Sequence, residues 1–343
     1  MKTVNIAILG AGAIAGHMAD AIRRCPEIVC PWAVASRDAE NAKAFAQKFG
    51  FHRSYGSYEA LLQDKDVDVV YIAVPHALHS KMALMCLEAG KHVLVEKPFA
   101  ANEAQARAVM ELARSKGLLA AEGLWMRYLP VVKDIRKVCE SGQIGDVKLV
   151  SGEIGYHLTQ KRLFDPNMAG GALLDVGVYA LALAGLVCGY DVRKIHSAAS
   201  FIDGPVDEYN SFILEYASGQ MASMSLSMTY MSSGHGTIWG SKGYIDIDDI
   251  NQLTSVRVFD QDKQEIASYS GAVVENSYVF ELHSLVKALA EGRLDTPECP
   301  HQEILQRLQI MDRLRQQWGL VFPFETEAAS KTLSKGGSGH ETL

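Results

Sequence analysis

The chain lacks the features that mark several functional classes. Basic residues do not outnumber acidic ones: 33 Lys and Arg stand against 40 Asp and Glu, a formal net charge of −7. That balance argues against nucleic acid or an anionic membrane surface as a partner, and leaves room only for a local basic pocket around a phosphate. Cysteine is sparse and unpatterned. Cys25, Cys30, Cys86, Cys139, Cys188 and Cys299 are scattered with no Cys-x-x-Cys, which reads as reduced thiols in a cytoplasmic protein, not a disulfide framework or a zinc site. Uninterrupted hydrophobic runs are also missing. The N-terminal run is broken by Gly10 and Gly12 without a small-residue cleavage site, so no secretory leader is expected. The run from Gly170 to Gly189 is long, but it contains Asp175, Gly177 and Gly185 and reads as a buried helix, not a membrane span.

The 343 residues, 48% hydrophobic and 21% charged, have a soluble globular balance and exceed the size of one ordinary core, so two domains are expected. Val4 to Leu9 predicts a strand, and Gly10-Ala11-Gly12-Ala13-Ile14-Ala15 follows it into a helical pattern through Arg24. This is G-x-G-x-x-A between a strand and a helix, the setting a dinucleotide fingerprint requires. Gly10 makes the turn, Gly12 admits a pyrophosphate to the backbone, Ala15 permits close packing, and the helix N-terminus offers its N–H groups.

A second strand, Ile28 to Ala35, ends in Ser36-Arg37-Asp38. Ser36 and Arg37 suit a ribose 2′-phosphate, favouring NADP over NAD. Asp38 reads either as a ribose ligand or as the N-cap of the helix Ala39 to Phe49. Val67 to Val74 predicts a third long strand, ending at Pro75-His76-Ala77-Leu78-His79. His76 and His79 have a spacing that a metal pair would share, but no partner ligands follow nearby. A histidine facing the cofactor or bonded within the loop is the better reading. Val93-Leu94-Val95 then runs into Glu96-Lys97-Pro98. A lysine at the carboxyl end of a buried parallel strand is placed for chemistry; a surface Glu-Lys pair is the plain alternative.

Beyond Ala121–Gly123 the periodicity changes. A helix is expected over Tyr128 to Glu140, then strands at 147–155, 195–202, 211–216, 221–229, 236–240 and 255–259. Helices at 171–187, 277–291 and 301–318 complete the pattern. The expected fold class is α/β: residues 1–122 form a doubly wound parallel-sheet dinucleotide domain. Residues 123–330 form an α+β substrate-binding and oligomerisation domain with a large, mostly antiparallel sheet, and 331–343 form a flexible tail. Alternating apolar residues in Met221 to Met228 fit an apolar outer sheet face and a homo-oligomer formed through it; the serines between them leave a solvated face as the alternative.

Together, Gly10-x-Gly12-x-x-Ala15, Glu96-Lys97-Pro98 and the two-domain pattern resemble the glucose–fructose oxidoreductase/inositol dehydrogenase family over residues 1 to about 325. The stretches Glu122 to Pro130 and Arg162 to Tyr179 resemble the branch containing dimeric dihydrodiol dehydrogenases and NADP-dependent xylose dehydrogenases. The resemblance implies an oxidoreductase acting on a sugar, polyol or cyclic diol. It also implies that Lys97 lies beside the nicotinamide and contacts the reacting oxygen, and that Glu96 lies on the nicotinamide ribose side. Many family members carry Asp-x-x-x-His; here the pattern is Asp175-x-x-x-Tyr179, as in the dihydrodiol branch.

One helical turn separates Asp175 from Tyr179. Hydride transfer from a C–H bond requires the hydroxyl on that carbon to lose its proton, and tyrosine is a poor base at neutrality unless a cation adjoins it. The expected catalytic set is therefore Tyr179 as acid/base, Lys97 lowering its pKa and binding the substrate oxygen, Asp175 orienting Lys97 or a substrate hydroxyl, and His79 as a hydrogen-bond partner of Lys97 or the substrate. A packed aromatic is the alternative for Tyr179. Expected cofactor contacts are Gly10, Gly12, Ala13, Ile14 and Ala15, then Ser36, Arg37, Pro75, His76, Glu96, Lys97, Trp125 and Arg127. Expected substrate contacts are Lys97, Trp125, Tyr156, Arg162, Asp175 and Tyr179. No metal is expected. The alternatives are an NAD-dependent inositol-type dehydrogenase and a non-catalytic NADP-sensing regulator.

Overall fold

Short apolar strands alternating with amphipathic helices build the first sheet of the computed structural model. The structure describes residues 3–202, 204–271 and 275–326; the expected tail lies outside the described residues. In chain order the elements are β1 (Val4–Leu9), α1 (Ala13–Arg24), β2 (Val29–Ala35), α2 (Ala39–Phe49), β3 (Arg53–Tyr55), α3 (Tyr58–Leu62), β4 (Val69–Ile72), α4 (His79–Glu88), β5 (His92–Glu96), α5 (Glu103–Lys116) and β6 (Ala120–Gly123). The six strands are parallel in the order β3-β2-β1-β4-β5-β6. The strand order reverses between β1 and β4, the place at which sheets of this kind bind ligands in the crevice outside the strands' carboxyl ends. Capping fixes the helices: Ser57 Oγ accepts from Ala60 N at 3.2 Å, and Asn102 Oδ1 accepts from Gln105 N at 2.9 Å.

The second half adds α6 (Val131–Glu140), β7 (Val147–Gly155), α7 (Val178–Cys188), β8 (Val192–Ile202), β9 (Val206–Tyr216), β10 (Met221–Ser227), β11 (Gly236–Gly240), β12 (Gly243–Ile247), β13 (Ser255–Asp260), β14 (Glu265–Ser270), α8 (Tyr278–Ala290) and α9 (His301–Trp318). Its eight strands run β14-β13-β12-β11-β7-β10-β9-β8. Only β7 and β10 are parallel among these neighbours. The sequence pattern missed β3, β12 and β14: β3 has three residues, β14 is exposed or half-exposed along its length and lacks an apolar period, and β12 alternates, with Ile245 and Ile247 buried, but is only five residues long and follows a tight turn.

Two helices begin later than their periodicity implies. Tyr128 closes a short 3₁₀ turn, Trp125–Tyr128, and α6 starts only at Val131. Pro130 forces the preceding Leu129 into extended backbone (φ −63°, ψ 133°), which breaks the helical path. Ahead of α7, residues Leu173–Gly177 wind as a π-helix. Its entry is fixed by buried Asp207, which accepts from Leu173 N at 2.8 Å. Gly171 sits at φ +130°, where an added Cβ would lie 2.2 Å from Asp207 Oδ1. The run Pro166–Cys188 is long and apolar enough to cross a membrane, yet 83% of its apolar window is buried inside the protein; it is a core helix.

The outer sheet face corrects one expectation. Ala222, Met224, Leu226 and Met228 are buried in the core, so the alternating residues feed the helix side, and β10 presents Met221, Ser223 and Ser225 outward. Met221 is thus β10's one large apolar contribution to the open side, and the other exposed apolar groups, Phe201, Tyr209, Ile213 and Trp239, come from other strands. An alternating strand fixes which residues share a face, but not which face meets the helices.

Candidate active site

Lys97 leaves the end of β5 and its ammonium meets the π-helical turn before α7. Lys97 Nζ donates to the Asp175 carbonyl at 2.7 Å and to Asp175 Oδ1 at 3.0 Å. Both side chains are 13% exposed. The ammonium also lies 5.2 Å from the centroid of the Tyr179 ring, and the bond from Lys97 to Pro98 is cis. Asp175 lies within a turn, Leu173–Gly177, that winds as a π-helix, a form found frequently at functional sites.

Burial opposes the Lys97 charge, but Asp175, then Tyr179 and Glu96, outweigh it and raise its pKa above the ordinary lysine value. Burial likewise opposes the Asp175 carboxylate, and the charge and hydrogen bond of Lys97 overcome it to hold the pKa below the usual value. Both groups are therefore charged at neutrality. Lys97 is a fixed cation and not a base.

Tyr179 departs from expectation. Burial raises its pKa above 10 by more than Lys97 lowers it, so the phenol is neutral in this state. Trp125 Nε1 donates to the Tyr179 hydroxyl oxygen at 3.0 Å, which occupies one lone pair and leaves the O–H free to donate elsewhere. Trp125 in turn stacks on Tyr278 of α8, with centroids 6.5 Å apart. Tyr156 stands nearby, half-buried, with its hydroxyl accepting from Asn251 Nδ2 at 3.1 Å. Arg162 is exposed, close enough for its charge to bear on Asp175 and His76.

Three expected residues have partners within the protein, and for His76 and His79 these are of the loop-bonded kind that the sequence left open. His79 is buried with Nδ1 2.7 Å from Pro98 O and Nε2 2.8 Å from Val74 O. Both ring nitrogens face backbone carbonyls, so His79 braces the loop after β5 instead of meeting substrate, and burial lowers its pKa to about 4. His76 directs Nδ1 to Ala169 O at 3.1 Å and Nε2 to Asp175 Oδ1 at 3.7 Å. Burial lowers its pKa to about 3, so a neutral imidazole backs Asp175. Arg127 is buried and pairs with Glu303 at 2.7 Å; its guanidinium serves the second domain, not the dinucleotide turn.

Behind Lys97 lies an acidic layer that the sequence reading missed apart from Glu96. Glu96 accepts from the Tyr71 hydroxyl through Oε1 and from Lys97 N at 3.1 Å through Oε2. Burial raises its pKa to about 7 against the opposing effects of Tyr71 and Lys97. Glu122 is paired with Arg307, both fully buried. Glu281 of α8 is fully buried and has no hydrogen-bond partner at either carboxyl oxygen among the described residues. Burial, with Glu96 and Glu122 nearby, raises its pKa well above the ordinary value, so it holds its proton. Glu281 shares a helix face with Leu285 and Ala288, and an acid in that apolar stripe was the available signal.

The turn after β1 fits a dinucleotide. Gly10 has φ +99°, and an added Cβ would lie 2.4 Å from Ala73 O. Gly12 is the N-cap of α1 with no side-chain cap, and a Cβ there meets nothing within 4 Å. The N–H groups of Ala13 and Ile14 at the helix start are thus open to a pyrophosphate, while Ala15 is buried against the sheet. Ser36 and exposed Arg37 stand at the end of β2, and Pro75 at the end of β4. Asp38 is the N-cap of α2, accepting from Glu40 N at 2.9 Å and Asn41 N at 3.2 Å.

The state of Glu96 sets a measurable pH dependence. Its folded pKa of about 7 exceeds the model-peptide value of 4.5, so the native state holds a proton that the unfolded chain has released. Stability from this group is present below the unfolded value and is lost as pH rises through about 7. Relative to Glu96→Gln, the wild type should therefore lose denaturant midpoint between about pH 5 and about pH 8. Parallel midpoint profiles for the two proteins would contradict this assignment.

The chain matches the oxidoreductase family with an NAD-binding Rossmann fold at residues 4–124 and the GFO/IDH/MocA C-terminal domain at residues 132–246. Among curated proteins, trans-1,2-dihydrobenzene-1,2-diol dehydrogenase of Mus musculus is 32% identical over 326 residues, covering 92% of this chain and 97% of the relative. The Bos taurus protein of the same name is 33% identical over 328 residues, covering 92% and 97%. A 3-ketoreductase from Actinomadura kijaniata, crystallised with NADP and TDP-benzene, superposes with TM-score 0.82 at 24% identity, covering 92% of this chain and 98% of that one. Levoglucosan dehydrogenase with NADH and levoglucosan gives 0.82 at 21%, covering 92% and 96%. With a dinucleotide turn, a lysine at the end of β5 and this match over both halves, the chain belongs to the GFO/IDH/MocA family of NAD(P)-binding oxidoreductases.

Proposed function

We propose that this oxidoreductase interconverts an alcohol and a carbonyl on a sugar, polyol or cyclic diol, with NADP as its preferred cofactor. The observation that carries the reading is the Lys97–Asp175–Tyr179 cluster beside the dinucleotide crevice. The relatives named as diol dehydrogenases support the substrate class. The bound nicotinamide supplies or accepts the hydride. The Lys97 ammonium, held charged and aimed by Asp175, binds the substrate oxygen and stabilises negative charge developing there. In carbonyl reduction the neutral Tyr179 phenol gives its proton to that oxygen; in alcohol oxidation the proton returns to the phenolate. Trp125 and Tyr156 wall the substrate, and Arg162 lies at its rim.

Lys97→Met should retain NADP(H) binding by fluorescence titration and lose turnover by about 10²-fold or more. Tyr179→Phe should lose a comparable amount of kcat. Near-normal kcat in either variant, measured across sugars and diols by nicotinamide absorbance, overturns the assigned roles; a wild type silent across the panel favours a cofactor sensor.

Ser36 and Arg37 at the end of β2 favour NADP, since Asp38 is engaged in capping. Arg37→Ala should raise the Kd for NADP by about tenfold or more while leaving that for NAD within about twofold. Equal losses for both cofactors would exclude a 2′-phosphate contact.

We place the protein in the cytoplasm, where its six free thiols remain reduced. The exposed Tyr209, Ile213 and Trp239 on the open sheet face make a homodimer surface. Sedimentation velocity should give a dimer for the wild type and a monomer for Ile213→Asp/Trp239→Asp. A monomeric wild type rules this surface out.

A further inference from the structure

Cys25, Glu27 and His283 stand together at the junction of α1 and α8, away from the Lys97 cluster. Each offers one ligand atom, and the three atoms lie within 4.8 Å of one another. Cys25 Sγ is 4.0 Å from His283 Nε2, although the two residues are 258 positions apart. From this geometry we infer a binding site for a borderline divalent transition ion of the Zn²⁺ class, with thiolate, imidazole and carboxylate as its protein ligands.

The distances fit. Zinc takes sulfur at about 2.3 Å and imidazole nitrogen at about 2.0–2.1 Å, so an ion placed between Sγ and Nε2 needs those two atoms little closer than they already stand. Glu27 supplies the third ligand, and water takes the fourth position. The donor set also fits: thiolate and imidazole select such an ion over Mg²⁺ or Ca²⁺, which prefer oxygen.

The backbone that carries the ligands is held before any ion arrives. Cys25 ends α1, and its carbonyl accepts from Ile28 N at 3.1 Å and Val29 N at 3.0 Å, which fixes the Cys25–Pro26–Glu27 turn. Asn276, just before α8, donates to His17 O at 2.8 Å and Asp20 Oδ2 at 3.0 Å, tying α8 to α1. Glu27 and His283 are exposed, and both line a surface cavity of about 510 Å³ with Val286 and Lys287, which gives an ion its entry path. Coordination displaces the Cys25 thiol proton to solvent, forming the metal–sulfur bond.

The consequence is structural. The ion joins the first domain's α1–β2 turn to α8, the helix that carries Tyr278 behind Trp125 and Glu281 behind Glu96. It acts as a clamp between the two halves of the chain, not as part of the hydride chemistry.

The test uses the full-length protein stripped by a chelator and titrated with Co²⁺ alone. One equivalent should produce a near-ultraviolet thiolate-to-cobalt charge-transfer band. Cys25→Ser should abolish the band, His283→Ala should weaken binding by about tenfold or more, and Cys30→Ser, which removes the neighbouring thiol of β2, should keep it. Zn²⁺ should raise Tm in the wild type but not in Cys25→Ser. No band, or a band that survives Cys25→Ser, overturns the site. Binding equal in all variants means an adventitious ion only and overturns it too. NADP(H) titration of each variant reports whether it is folded, so the result is independent of the proposed reaction.

Discussion

The pair between the Lys97 ammonium and Asp175 is the interaction on which the site depends. It joins the end of a parallel strand in one half of the chain to the π-helical turn that opens α7 in the other. Taking two charges this far out of water is unfavourable unless each finds the other with good geometry, and removing one partner of such a pair costs about 3–5 kcal/mol. The Asp175 carbonyl supplies a further acceptor, and Tyr179 presents its ring. A cation held this way keeps its charge through the neutral range, which suits it to binding an oxygen that becomes anionic. It cannot serve as a neutral amine base.

Around that pair the structure places groups kept uncharged. His76 and His79 are driven neutral by burial, Tyr179 remains a phenol, and Glu281 holds its proton. The common cause is desolvation, which penalises whichever form carries charge. Only where a full opposite charge sits within reach, as Asp175 does for Lys97, is the penalty overcome. Fixed charge is therefore concentrated at the Lys97–Asp175 pair, with low-polarity walls around it.

Much of the fold was legible because its signals are local. The apolar runs of β1 and β5, the Gly10-to-Ala15 turn, the N-cap candidate Asp38, and helix α9 over His301–Trp318 each depend on residues a few positions apart. The signals that failed were weak or depended on distant partners. β14 has no apolar period because it lies at an exposed edge, and α6 starts late because Pro130 dictates the backbone of Leu129. The alternation in β10 was read correctly as two faces, but the face toward the helices is set by the rest of the sheet.

Sequence by itself determined the parallel dinucleotide sheet, the cofactor turn and the candidacy of Lys97, Asp175 and Tyr179, because periodicity and motif spacing carry that information along the chain. It also put Asp175 and Tyr179 one turn apart. Only the tertiary structure decided how each side chain is used. It turned His79 onto two backbone carbonyls, gave Arg127 to Glu303, buried Glu281 behind Glu96, and brought His283 to Cys25. The pKa of Tyr179 shows the reason most clearly: sequence names Lys97 as a neighbour that lowers it. Burial raises it further, and burial is a property of the packed molecule that no short stretch of sequence contains.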